Sequence, residues 1–275
     1  MQIKASLVVT IACLVLAACH ERSVQPAKVN SASSAEVSPA ATPTQPQEPA
    51  YRPVDLKASD LDLQRVSLPP DEVRDALMRF NPWKGKFESD AAFAKRMREV
   101  GGERLLDGIK IGDIVAFRIS KASFQYDANK QEWRYIVNPA SVGSRFSYVA
   151  VYDDIRPSSE FSSYRDYFAK RGMDITFRKQ ILVEVPALKG YSEMQGFLKA
   201  GQSQARDLED SMTVLLIGRI EPARITLNSY EFPSRPDDHD MVFKDALGFK
   251  LEGVWLVDTR NGHVLSKSWK ARRVA

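Results

Sequence analysis

Cysteine is nearly absent from this chain. Two occur among 275 residues, Cys13 and Cys19, and both lie in the first twenty positions. A disulfide framework, a thiolate metal centre and a cysteine nucleophile are therefore excluded from everything downstream. Histidine is almost as scarce, with His20, His239 and His263 only. Lys and Arg number 39 against 35 Asp and Glu, and no basic block of five occurs. The electrostatic footprint of a nucleic-acid binder is missing, so no nucleic-acid partner is expected. No G-x-S-x-G, H-E-x-x-H, Walker loop or dinucleotide glycine pattern occurs either. We assign no catalytic residue, no metal and no cofactor from the sequence. What remains is ordinary globular composition, 44% hydrophobic and 27% charged.

The amino terminus is the most specific stretch. Lys4 precedes an apolar run over residues 5–18. That run is too short for a bilayer core, which needs about 20 residues. It suits the apolar region of a secretory signal peptide, roughly 7–15 residues. A cut just before Cys19 would set bulky Leu16 three residues back, which ordinary signal cleavage disfavours. Leu16-Ala17-Ala18-Cys19 instead resembles the lipobox of bacterial lipoproteins. The resemblance implies a diacylglycerol (palmitate-type acyl chains) on Cys19, with the signal peptide 1–18 removed. Several acyl chains on one residue would anchor the protein stably, where one chain binds only marginally. His20 stands where enterobacterial lipoproteins retained in the inner membrane carry aspartate. The resemblance thus implies the periplasmic face of the outer membrane rather than the inner membrane.

Residues 19–66 read as a tether. Pro26, Pro39, Pro43, Pro46, Pro49 and Pro53 punctuate it, and Ala, Ser, Thr and Gln fill most of the gaps. The first glycine is Gly85, and Tyr51 is the only aromatic residue before Phe80. Such a segment buries too little apolar surface to offset its ordering entropy. Proline without glycine makes it extended. Within it, residues 55–67 carry Leu56, Leu61, Leu63 and Val66, which suit an extended segment lying on the domain.

Residues 67–275 read as one periplasmic α+β domain, mostly antiparallel sheet with a few helices. Pro69-Pro70-Asp71-Glu72 opens a helix with Val73, Leu77 and Phe80 on one face, and Asn81-Pro82 ends it. Ser89 caps a second helix, with Phe93, Met97 and Val100 on one face, closed by Gly101-Gly102. Strands follow near 113–120, 123–127, 132–137, 146–154, 174–185 and 213–232, the last broken near Pro222. Helices are expected over 164–172 and 192–210. Asn261-Gly262 between two alternating runs predicts a closing hairpin. Residues 113–137 and 250–269 echo each other faintly, as strand, turn and aromatic-rich strand.

Three features could carry function. Phe124, Tyr126, Trp133 and Tyr135 alternate on a predicted hairpin and form either a sugar- or peptide-binding face or one wall of the core. "RPDDHD", residues 235–240, is the densest polar cluster, readable as a metal loop or an exposed acidic turn. "GKFESDAAFAKRM", residues 85–97, resembles a pattern recurring in uncharacterised bacterial envelope proteins, carried here by Phe87, Glu88, Ser89, Phe93 and Arg96. Its physical reading is a turn into a helix, with Phe87 packing near Phe93 as a hydrophobic staple. The expectation is a membrane-anchored envelope lipoprotein, a non-enzymatic binding or structural module for an envelope protein or cell-wall polymer. The alternative is a hydrolase acting on peptidoglycan or polysaccharide.

Overall fold

The computed structural model describes residues 50–141, 147–189, 191, 193–231 and 239–272. The expected signal peptide 1–18, Cys19 and residues 20–49 of the expected tether lie outside the described residues. The elements in chain order are α1 (Leu63–Val66), α2 (Pro70–Met78), α3 (Asp90–Val100), β1 (Arg104–Leu106), β2 (Ile109–Lys110), β3 (Val115–Arg118), β4 (Ser123–Asp127), β5 (Glu132–Val137), β6 (Ala140–Ser141), β7 (Ser147–Arg156), α4 (Ser162–Ala169), β8 (Thr176–Glu184), β9 (Glu193–Lys199), α5 (Gln202–Leu208), β10 (Met212–Glu231), β11 (Asp240–Asp258), β12 (Val264–Ser266) and β13 (Lys270–Arg272). This is an α+β fold with antiparallel pairing dominant. The one parallel pair among the described strands is β8 with β11.

The framework is the long hairpin β10–β11, antiparallel from Met212 opposite Asp258 to Glu231 opposite Val242. Pro222 does not end β10. Its missing N–H falls in a bulge between Glu221 and Ile225, where the ladder is already interrupted. The sheet runs β3-β10-β11-β8-β7-β6, with β12 on the far half of β11. A second sheet runs β13-β9-β5-β4.

Alternation along β10 sends successive side chains to opposite faces. Val214 and Leu216 join the main core with Phe117, Phe249, Val254 and Leu256. Leu215 and Ile217 join a second core with Ala116, Trp255 and Val257. That second face is closed by chain assigned from sequence to the tether. Val54, Leu61 and Val66 are buried there. Leu61 N–H donates to the Gly262 carbonyl and Val264 N–H to Ser59. Lys267 Nζ donates to the carbonyls of Leu56 and Ala58. Residues 54–66, read from the sequence as the end of the tether with 55–67 as an extended segment on the domain, pack on this face as a strap. Ala58 and Leu63 of the same segment pack against the cluster, partly buried.

Two other expectations change. Residues 193–199 form strand β9, not the first half of a helix. Met194 and Gln195 are buried between β5 and β13, and tertiary pairing overrides the helical propensity of Glu, Met, Gln and Leu. The echo of 113–137 in 250–269 is no duplication, because β3 and β4 lie in different sheets while β11 and β12 pair directly. The Asn261-Gly262 hairpin is present. Gly262 takes φ +74°, and Asn261 Oδ1 accepts the His263 N–H. His263 is half-exposed, and its Nδ1 lies 2.9 Å from Asp60 Oδ1 on the strap.

Candidate functional site

The alternation on β4 and β5 brings the four aromatic residues together on one face. Phe124 pairs with Tyr135 and Tyr126 with Trp133 across the ladder. Their fates then differ. Tyr135 is 1% exposed, lies in the main core and donates its hydroxyl to the Ser268 carbonyl at 3.2 Å. Burial pushes its phenol pKa up. Phe124 packs between the main core and the small cluster of Trp133, Ala200 and Ala205. These two are core wall.

Tyr126 and Trp133 form one wall of a cleft. Their ring centroids are 5.3 Å apart at 50°. The opposite wall is α5, which contributes Gln202, Ala205 and Arg206, with Glu209 at its C-cap and Ala128 at the rim. The cleft encloses about 260 Å³. Its geometry is fixed locally on three sides. Tyr126 donates its hydroxyl to the Ala200 carbonyl at 2.8 Å, tying the ring to the start of α5. Ala200 N–H donates to Gln131, and Ala205 N–H to Gly201. The rim turn is held by Asp127, whose Oδ1 accepts the N–H groups of Asn129 and Lys130, both at 3.1 Å. Those contacts, the Lys130 N–H foremost, keep the Asp127 carboxyl below its ordinary range.

The cleft joins flat aromatic faces to a guanidinium, a carboxylate and an amide. Trp133 is buried, and its indole Nε1 has no hydrogen-bond partner among the described residues. A buried donor left unpaired costs about 1–3 kcal/mol. Sequence reasoning picked out Tyr126 and Trp133 and expected a helix over 192–210, but named no site residue on it. The signal was present: Gln202, Arg206 and Glu209 fall at i, i+4 and i+7, with buried Leu208 turned to the other side.

A second charged cluster lies elsewhere. The Asp153 side chain is 2% exposed and is gripped by Arg178, with Nη2 2.7 Å from each carboxylate oxygen. Lys121 Nζ lies 2.8 Å from Oδ2, and Arg178 Nη1 reaches Asp240 at 3.3 Å. Burial pushes the Asp153 pKa up, but hydrogen bonds from Arg178 and Lys121 outweigh it and the net shift is downward. A carboxylate so saturated links β7, β8 and β11 and is not available as a base. Asp240 of the "RPDDHD" cluster belongs here, and the His239 carbonyl accepts the Thr176 N–H. Residues 235–238 lie outside the described residues. Among those described, no three His, Cys, Asp or Glu side chains gather to hold a metal ion.

The 85–97 motif folds differently from expectation. Ser89 does cap α3, accepting the Ala92 N–H at 3.1 Å. Phe87 does not staple onto Phe93 and is 94% exposed. Arg96 takes its place, stacking over Phe93 at 5.3 Å and gripping both carboxylate oxygens of Glu88. The Arg96 hydrogen bonds pull the Glu88 pKa down to about 2.

Comparison with family models, with curated proteins and with solved structures gives no match to this chain.

Proposed function

We propose that this protein is a lipid-anchored module of the bacterial cell envelope that binds a cell-wall polymer or peptide without catalysis, through the Tyr126/Trp133 cleft. The observation that carries the reading is the cleft's make-up. Two aromatic faces suit a sugar ring or an apolar side chain, while Arg206, Glu209 and Gln202 supply directional polar contacts. The lipobox-like Leu16-Ala17-Ala18-Cys19 supports location at a membrane, with the outer membrane favoured by His20.

Soluble peptidoglycan fragments titrated against the protein are expected to change its tryptophan fluorescence. Arg206→Ala and Gln202→Ala, both on the exposed face of α5, should weaken that binding about tenfold each and leave thermal unfolding unchanged. An unaltered titration in both variants would remove the cleft from the reading. The hydrolase alternative requires paired carboxylates for general acid and base work. The cleft lining contains one, Glu209. Release of sugar or peptide products from peptidoglycan by the purified protein would reinstate that alternative.

The anchor has its own test. Cys19→Ser is expected to move the protein from the membrane fraction to the soluble fraction and to remove the acyl mass from its amino terminus. A variant still sedimenting with membranes at unmodified mass would refute lipidation.

A further inference from the structure

The loop between α2 and α3 exposes apolar side chains that the fold takes trouble to hold in place. We propose that this loop, Trp83 and Phe87 with Lys84 and Lys86, is a membrane-contact tip that inserts into the interface of an anionic lipid bilayer. Phe87 is 94% exposed and Trp83 42%, and both lysines are exposed. A loop that merely connected two helices would fold Phe87 down onto Phe93, as the sequence suggests. Here one guanidinium prevents that. Arg96 donates to the carbonyls of Asn81 at 2.7 Å, Trp83 at 2.9 Å and Phe80 at 3.3 Å, and to Glu88 at the other end of the loop. Gly85 N–H donates to Glu88 Oε2 at 2.9 Å, and Lys84 pairs with Asp90 at 2.6 Å. Asn81 turns the chain out of α2 at φ +47°. The aromatics are thus presented on a fixed frame, so little ordering entropy remains to be lost on contact.

The chemistry selects lipid over a protein groove. Trp favours the headgroup level and Phe the acyl boundary, while flanking lysines meet anionic headgroups. Lys84, Lys86 and Arg96 outnumber Glu88 and Asp90 around the loop. The position agrees. The chain from Cys19 joins the domain at Ala50, whose N–H donates to Asp107 Oδ2 at 2.8 Å. Arg79, at the base of the loop, donates to the Leu105 carbonyl at 2.8 Å. Leu105 and Asp107 are two residues apart, about 7 Å of extended chain. The base of the loop and Ala50, the first described residue, therefore bond to neighbouring residues of the β1–β2 turn. The inference draws on the anchoring reading only for the nearness of a bilayer.

The test uses the mature chain from residue 19 carrying Cys19→Ser, so that no acyl chain contributes. It is sedimented with vesicles of phosphatidylglycerol and phosphatidylethanolamine, and with phosphatidylcholine vesicles as the neutral arm. Binding to the anionic vesicles is expected, weakening with salt. Trp83→Ser/Phe87→Ser should lower it at least tenfold, and Lys86→Glu about fivefold on anionic vesicles alone. Phe87→Ser by itself, at a solvated position, should leave the melting curve unchanged and still reduce binding. Absence of vesicle binding, or binding that the double variant leaves intact, overturns the proposal. So does crosslinking of the loop to an envelope protein when vesicles are ignored. Because the anchor cysteine is replaced throughout, failure here leaves the fractionation test of Cys19 untouched.

Discussion

Arg178→Met is expected to destabilise the domain by about 3 kcal/mol and to lower its melting temperature by about 6–12 °C. The Asp153 carboxylate is almost wholly buried, and Arg178 supplies most of its hydrogen bonds. Removing one partner of a buried pair costs about 3–5 kcal/mol, because the other charge stays desolvated. The low end applies here, since Lys121 still faces Asp153 at 2.8 Å. The pH dependence should change in a defined direction. In the folded protein the Asp153 pKa lies below its ordinary value, near 3.9 in an unfolded chain. Its contribution to stability is therefore fully present above that value and is lost as the pH falls through the folded pKa. Without Arg178, burial pushes the pKa up against Lys121 alone. The acid limb of the stability curve should then move to higher pH. Urea unfolding across pH 3–8 reads both effects. Asp153→Leu/Arg178→Met should recover much of the loss, because replacing a whole buried pair with apolar groups is often neutral. Equal acid limbs in wild type and Arg178→Met would show that Arg178 does not set the Asp153 charge.

Asp153 also shows where the sequence stops being legible. It lies in a strand expected over 146–154, but its partners come from residue 121 and residue 178. Nothing in local composition connects them; the parallel pairing of β8 with β11 and the antiparallel pairing with β7 do. What was legible is what local chemistry fixes. Helices α2 and α3 follow from their proline, acidic and serine starts and from the spacing of Val73 and Leu77. The β4–β5 hairpin follows from the period-two aromatics on its two strands. Half of the cleft is legible for the same reason. The other half, on α5, depends on the turn from β9 through Ala200, and β9 itself is invisible while its residues favour helix. The strap was legible as an extended segment over 55–67, but not the face it covers, because its partners Leu215, Ile217 and Trp255 lie far away in the chain. Phe87 failed as a staple because Arg96 offers Phe93 a cation to stack under and Glu88 a partner, which leaves Phe87 outside.

The cleft's aromatic wall rests on a glycine, and this gives the second large effect. Gly196 on β9 lies opposite Tyr135 on β5. A Cβ there would sit 2.3 Å from ring carbons of Tyr135 and 2.4 Å from its hydroxyl oxygen. The ring is fully buried and cannot swing into solvent. Gly196→Ala should therefore cost about 3 kcal/mol through overpacking. Tyr135→Leu should cost about 2–4 kcal/mol by opening a cavity and losing the hydroxyl contact with Ser268. The double variant should cost little more than Tyr135→Leu alone, because the methyl occupies space the ring has left. The coupling would then be at least about 2 kcal/mol, far beyond the few tenths seen for independent sites. Trp133 is two residues from Tyr135 and opposite Leu198, so the Tyr135–Gly196 contact also sets the register that turns Trp133 toward α5. Gly196→Ala should accordingly shift Trp133 fluorescence and weaken peptidoglycan-fragment binding, and Tyr135→Leu should restore the register in the double variant. Additive costs in the cycle would mean that the strand moves away from the ring instead. The aromatic wall would then be held by α5 rather than by the sheet.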